Sequence, residues 1–256
     1  MTTLINLDRS NHLLTNGLKI TALFLGWQDP HSELWLPVGK MTWDTNRRQY
    51  YFAYTHGMKQ AVDVSPIQKN LLWGEPERLE QVQISKGVNL KFKQRMPLAR
   101  PDETKRELGY YGLSTDEIDP ILFVSRSGGR RHSDSYDVFP EVKPDLDGKY
   151  HFYFIPLKIA TGDRHQHEYI NHLAIGTELV CSEAYLSDLH GMKIGKLPGY
   201  IANLASSHPH DLRVEVAKIN SGTDWWCFQS ICHATIQTKP FVSQDYQTLA
   251  QLPIHD

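Results

Sequence analysis

The chain of 256 residues carries 27 basic and 29 acidic side chains, for a net charge of −2 and a pI near 6.7. That balance excludes a stand-alone, high-affinity polyanion binder, and 40% hydrophobic with 22% charged residues excludes a disordered chain. No apolar run reaches the roughly 18–20 residues that span a bilayer, and Met1–Asp8 lacks the charged and apolar regions of a secretory signal, so a cytoplasmic protein is expected.

Strand and turn signals alternate over the first 55 residues. Lys19–Gly26 is an apolar run closed by the turn Gln28-Asp-Pro-His. Glu33–Trp43 follows, then the turn Asp44-Thr-Asn and the aromatic run Gln49–Tyr54. Aromatic and β-branched residues between Asn, Asp, Gly and Pro clusters predict an antiparallel meander. From Val64 to Leu113 the pattern loosens, because Pro66, Pro76, Pro97 and Pro101 break any long helix. Pro101–Leu108 can open a short helix, with Pro first and acids in its first turn. Ser114-Thr-Asp-Glu117 has capping-box spacing ahead of Ile118, predicting a second short helix that runs through Ile121–Val124 to Gly128-Gly129.

Ser135–Pro140 and Lys149–Pro156 then read as strands around the turn Pro144–Gly148. A boundary is expected near 158–165. A helical stretch follows over Gln166–Ile175, closed by Gly176, and beyond it come strands at Thr177–Cys181, Met192–Leu197, Leu212–Ile219 and Trp225–Ile236, with a short helix at Pro198–Ala205. Several short strands with one small helix suit a small, partly open barrel. The expected fold is mainly β, of the α+β kind. A β-rich N-terminal unit with short helices covers 1–158, a small OB-like barrel covers 165–240, and 241–256 is a C-terminal tail.

No signature of an enzyme stands out. There is no P-loop, no GxGxxG after a strand, no HExxH and no GxSxG elbow, so no catalytic residue and no cofactor are assigned. His165, His167 and His172 invite a metal, but on a helix His167 faces away from the other two and no acid or Cys completes a set. Cys181, Cys227 and Cys232 form no CxxC pair and read as small packing residues.

Two basic concentrations stand against this neutral background. Between Lys86 and Arg106 lie seven basic residues and two acids, and strand alternation would put Lys91, Lys93 and Arg95 on one face. The second is Arg126-Ser-Gly-Gly-Arg-Arg-His132, where glycine admits close backbone approach and the guanidiniums of Arg126, Arg130 and Arg131 can fork onto phosphate. The alternative readings are a solvated edge strand guarded by lysine, and a turn whose arginines pair with Asp134 or Asp137. Six Trp, twelve Tyr and nine Phe are enough to supply base-stacking surfaces, although most strand aromatics belong to cores.

The C-terminal stretch resembles the HIRAN domain, a small barrel related to the OB-fold. The resemblance rests on Ile170–Val180, on Gly191-Met-Lys-Ile-Gly-Lys-Leu-Pro-Gly-Tyr-Ile-Ala202 and on the closing strands to Ile236. Lys196 stands where that family carries an aromatic, and Ser182–His190 replaces its Asn-Pro-x-Asp-x-Asn-Ala stretch, so the family's DNA-end recognition is not carried over. The N-terminal part resembles the β-rich N-terminal subdomain of HipA-type toxin kinases, through Leu36–Thr42, Gln49–Tyr54 and Asp119–Glu141, and no kinase motif follows. Together these resemblances imply a non-enzymatic, DNA-binding subunit of a larger bacterial DNA-processing or defence complex, of the CRISPR-associated kind, with DNA preferred to RNA. Lys91, Lys93, Arg95, Arg126, Arg130 and Arg131 would hold phosphates, with Lys193, Lys196 and Tyr200 at the mouth of the barrel. The alternative is an antitoxin-like protein-interaction module without direct DNA contact.

Overall fold

The structure is a computed structural model that describes residues 20–44, 46–65, 79–86, 92, 95, 108–113, 120–130, 135–159, 164–220 and 230–252. It is mostly β: two antiparallel sheets, one curled into a half-barrel, with five short helices among the described residues. The chain divides into two compact units, one of residues 20–97, 128–141 and 241–256, the other of 1–19, 98–127 and 142–240.

The first unit is built on a five-stranded sheet. Its strands are β1 (Ile20–Gln28), β2 (Trp35–Asp44), β3 (Gln49–Tyr54), β4 (Gln83–Ser85) and β5 (Tyr136–Val142), in the order β4-β3-β2-β1-β5. The meander predicted from the first 55 residues is present, with Met41 opposite both Leu23 and Phe52. β1 is buried from Ala22 to Trp27 without alternation, so both faces of the sheet are covered there. Gly26 sits at the register shift of β1, where an added Cβ would lie 2.2 Å from Asp137 Oδ1 and 2.6 Å from the Trp35 ring. Only glycine fits. Pro140 lies on β5, an edge strand, where its missing N–H costs no ladder bond.

Helix α1 (His56–Val64), with Gly57 near its start, is not among the elements expected from sequence. Here the glycine serves close packing, because a Cβ would stand 2.1 Å from the Pro37 carbonyl oxygen. The segment 241–252 belongs to this unit rather than forming a tail. The Leu249 N–H donates to Tyr54 O at 2.8 Å, the His56 N–H donates to Gln247 O at 2.9 Å, and Thr248 bridges Thr55. Phe241 takes a left-handed φ of 59° and sits with Phe24, Phe139 and Tyr246 at ring separations of 5.7, 5.2 and 5.0 Å.

The second unit is built on the curled sheet. Its strands are β6 (Tyr150–Phe154), β7 (Glu178–Ser182), β8 (Tyr185–Ser187), β9 (Lys193–Lys196), β10 (Arg213–Ile219) and β11 (Ser230–Ile236), in the order β6-β11-β10-β7-β8-β9. Three helices accompany it: α2 (Pro120–Ser127), α3 (Arg164–Asn171) and α4 (Gly199–Ser207). Phe152 and Phe154, Cys232 and Ala234, Val214 and Val216, Leu179, Leu186 and Ile194 fill its buried face, with Tyr200, Ile201 and Leu204 of α4 also buried. The curled sheet takes in β6 from upstream of the boundary expected near 158–165. β6 was assigned to the N-terminal unit, yet Phe154 pairs with Cys232 and Phe152 with Ala234.

Gly195 of β9 permits another close approach. Lys196 and Leu157 exchange backbone hydrogen bonds of 2.7 and 2.8 Å, and a Cβ on Gly195 would meet Pro156 Cβ at 2.5 Å. Gly195→Ala is expected to cost about 1–3 kcal/mol through forced separation of these backbones. Urea unfolding measures this, and a loss below about 0.3 kcal/mol, within ordinary surface-substitution scatter, would contradict it. Among the described residues no helix is long and apolar enough to cross a membrane.

Candidate functional site

The cations singled out from sequence meet different fates. Lys91, Lys93 and Arg131 lie outside the described residues. Arg95 is buried, donates from Nη1 to the Gly129 carbonyl at 2.5 Å and lies over the Tyr136 ring at 5.8 Å. Arg126 is buried as well, donates from Nη1 to Tyr111 O at 3.1 Å and lies 4.5 Å above the Tyr153 ring. These two guanidiniums are committed to carbonyls and aromatic faces inside the protein, a setting that withdraws them from surface phosphate.

The glycine turn has a packing explanation of the same kind. Gly128 and Gly129 take φ of 70° and 55°, and a Cβ on Gly129 would press on Arg95 Cβ and Cδ at 3.2 Å. Glycine is required by the left-handed backbone and by the arginine stem beside it. Arg130 is one-third exposed and donates from Nη2 to buried Asp137 Oδ2 at 3.1 Å, while Asp137 Oδ1 accepts from Trp35 Nε1 at 3.2 Å. The pairing of a turn arginine with Asp137, one of the two alternatives raised by the sequence, is realised.

Tyr200 also moves from surface to core. It is 3% exposed and meets the Phe152 ring edge-on at 6.4 Å, so it does not stand at a barrel mouth. Cys181 and Cys232 behave as packing residues: burial pushes the Cys181 thiol up to about 11 and raises Cys232 further. Cys227 lies outside the described residues.

Lys193 and Lys196 remain on the hairpin formed by β8 and β9. Strand alternation buries Leu186 and Ile194 and turns Tyr185 and Lys193 outward. The Lys193 ammonium stands 4.0 Å from the centroid of the Tyr185 ring, and Lys196 is the cross-strand partner of Tyr185. Val180 of β7, opposite Ser187, is 44% exposed on the same side as Lys193, with Met192 41% exposed just before the strand. A cation, an aromatic ring and apolar contact surface thus share one small area. Such a surface can meet a phosphate, a base and a sugar together. Tyr185 could have been found from alternation along Tyr185-Leu-Ser, but three residues are too short a run to announce a strand.

A second constellation was not legible in the sequence. On the outward side of the curled sheet, Glu215 Oε1, His233, His151 and Asp145 Oδ2 form an unbroken hydrogen-bonded chain with successive distances of 3.0, 3.0 and 2.8 Å. Tyr153, the cross-strand partner of His233, stacks on it at 4.7 Å. His165, His167 and His172, the histidines the sequence drew attention to, take no part. His172 Nδ1 pairs with the Glu168 carbonyl instead. Among the described residues no group of three or more His, Cys, Asp or Glu converges as a metal site. No family model matches the chain, and no curated protein or solved structure matches it.

Proposed function

We propose that the chain is a non-enzymatic, DNA-binding subunit of a larger bacterial assembly for DNA processing or defence, and that it meets the nucleic acid at the β8–β9 hairpin. The observation that carries this reading is the exposed Lys193 ammonium 4.0 Å over the Tyr185 ring, with Lys196 across the strand from that ring. The ring offers a base a stacking partner, and the two ammoniums offer phosphates a point charge each. The resemblance of Ile170–Val180 and Gly191–Ala202 to the HIRAN barrel supports a nucleic-acid-binding fold, without that family's Asn-Pro motif for DNA ends. Two lysines make a small electrostatic footprint, in keeping with a net charge of −2 and with recruitment through partner proteins.

The test is an anisotropy titration of labelled single- and double-stranded DNA, repeated over a series of salt concentrations. With two phosphates engaged on a single strand, the logarithm of the binding constant should fall with a slope of about −1.4 against log salt. Absence of binding at low salt overturns the reading. A slope of about −4 or steeper, which requires more phosphate contacts than this hairpin offers, overturns its placement. Exposed Val180, Leu189 and Met192 favour a second reading, a protein-docking module of the antitoxin-like kind. Co-purification of a defined partner with no affinity for nucleic acid would establish that reading in its place.

A further inference from the structure

The four-membered chain across the curled sheet is unusual in its geometry. His151 and His233 are 10° from coplanar with centroids 5.2 Å apart, a separation accounted for by two ring radii plus their 3.0 Å N···N contact. The rings therefore meet edge to edge, Nδ1 of His151 to Nε2 of His233. The remaining nitrogens point away from each other, His233 Nδ1 to Glu215 and His151 Nε2 to Asp145.

This layout excludes two familiar uses of paired histidines. A metal needs lone pairs converging on one point, whereas here Glu215 and His151 lie on opposite sides of the His233 ring. An acid–base couple needs room for a reacting group between its members, and a 3.0 Å contact leaves none. What the layout does fit is a shared proton. Three hydrogen bonds use all four ring nitrogens, so three hydrogens satisfy every contact, and the pair then carries one positive charge. A fourth hydrogen would set two N–H groups head-on across the same contact.

We infer that the Glu215–His233–His151–Asp145 chain is a proton-gated brace, which ties edge strand β6 to β11 while its imidazoles share one charge and releases that edge when a second proton arrives. The surroundings favour a single charge and oppose a second. Asp145 faces the pair from the turn before β6, and Glu215 from β10, with Glu178 directly opposite Glu215 on β7. Against these stand Arg126 of α2, packed on Tyr153, and Arg213 of β10, which pairs with Thr235, itself opposite His151. Burial lowers the affinity of His233 for protons, and the neighbouring His151 and Arg126 act in the same direction against the raising effect of Glu215. The hydrogen bond from His151 holds the Asp145 carboxyl below its usual range, so that end stays ionised.

The sign follows from linkage. The folded pair binds its second proton less readily than free imidazoles of pKa about 6.5, so lowering pH through that value favours the opened edge. The inference uses none of the residues proposed to meet nucleic acid.

Two measurements on the full chain test it: imidazole nitrogen shifts of His-labelled protein, and amide exchange corrected for intrinsic pH dependence, both between pH 8 and 5. His233 should take up the second proton below the ordinary imidazole range, in a step coupled to its neighbour. Exchange at residues 150–154 should rise by up to about tenfold per pH unit between about pH 6.5 and that step, the response of one linked proton, and level off below it. His151→Gln, which leaves a single imidazole, should diminish the rise. Should that variant fail to fold, Glu215→Gln, which keeps an acceptor on an exposed side chain, should move the step to lower pH. Independent single titrations near 6.5, flat exchange at 150–154, an undiminished rise in His151→Gln or an unmoved step in Glu215→Gln would each overturn the inference.

Discussion

A chain ending at Pro240 should lose the folded first unit. Removal of the last 16 residues takes away Tyr246, which is 6% exposed and lies against Phe24 at 5.6 Å, Phe139 at 6.4 Å and Trp35 at 6.5 Å. Phe241 goes with it, together with the hydrogen bonds that Gln247 and Leu249 make to His56 and Tyr54. Loss of one buried aromatic costs about 3–5 kcal/mol. Phe241 is only half-buried and adds less, yet with the lost backbone hydrogen bonds the total still reaches the lower part of the roughly 5–15 kcal/mol that stabilises an ordinary domain. Part of the loss is returned, since the left-handed backbone at Phe241 costs about 1–3 kcal/mol that the truncated chain no longer bears. Thermal unfolding followed by circular dichroism checks this. A midpoint lower by about 15 °C or more is expected, at about 4–8 °C per kcal/mol for a unit of this size. Tyr246→Ala alone should reproduce more than half of the shift. A truncated chain that melts within a few degrees of the full one would show that 241–252 merely lies on a finished core.

The second large effect is expected at Asp137. Its carboxylate is 4% exposed and accepts from Trp35 Nε1 through one oxygen and from Arg130 Nη2 through the other. Asp137→Ala leaves the indole N–H without its acceptor and the guanidinium without its counter-ion. Breaking a buried pair in this way costs about 3–5 kcal/mol. Arg130 is one-third exposed and regains water, which places the expected loss near the lower end, about 3 kcal/mol. Asp137→Asn keeps the carbonyl acceptor for Trp35 and should cost roughly half as much. Urea unfolding of both variants, read against Arg130→Ala, separates the two contacts. Equal losses for Ala and Asn would show that charge rather than the indole hydrogen bond dominates.

The same pair shows why the basic clusters misled a reading by sequence. A count of charges along the chain cannot see that Arg95 and Arg126 each face a tyrosine, Tyr136 and Tyr153, that lies 41 and 27 residues further on. Three like charges on one alternating face suggest a solvated or polyanion-binding strand, yet the third of them is a core residue. What was legible was local: the β1–β2–β3 meander, the strand runs after Gly176 and the α4 step, whereas α3 ends at Asn171 and is not closed by Gly176, whose positive φ belongs to the turn before β7. What was not legible was distant pairing. β6 joins β11 across about eighty residues, and His151 meets His233 across 82. The alternation of His151 and Tyr153 on one face of a strand was readable; the register that brings His233 beside them was not. The aromatic cluster of the first unit draws on residues 24, 35, 139, 241 and 246, so its last two members looked like a tail.

The proposed placement of nucleic acid on the β8–β9 hairpin rests on Lys193, Lys196 and Tyr185, and Lys193 and Tyr185 can be changed without entering the core. Anisotropy of a labelled ten-nucleotide single strand at low salt, compared among the unaltered chain, Lys193→Glu and Tyr185→Ala, is the most direct measurement. The unaltered chain should bind. Lys193→Glu should weaken binding by about tenfold or more, because it replaces attraction with repulsion at a phosphate. Tyr185→Ala should weaken it by about five- to a hundredfold, the cost of one lost stacking partner at about 1–3 kcal/mol. Binding that is absent from the unaltered chain, or that survives both substitutions undiminished, would contradict the assignment.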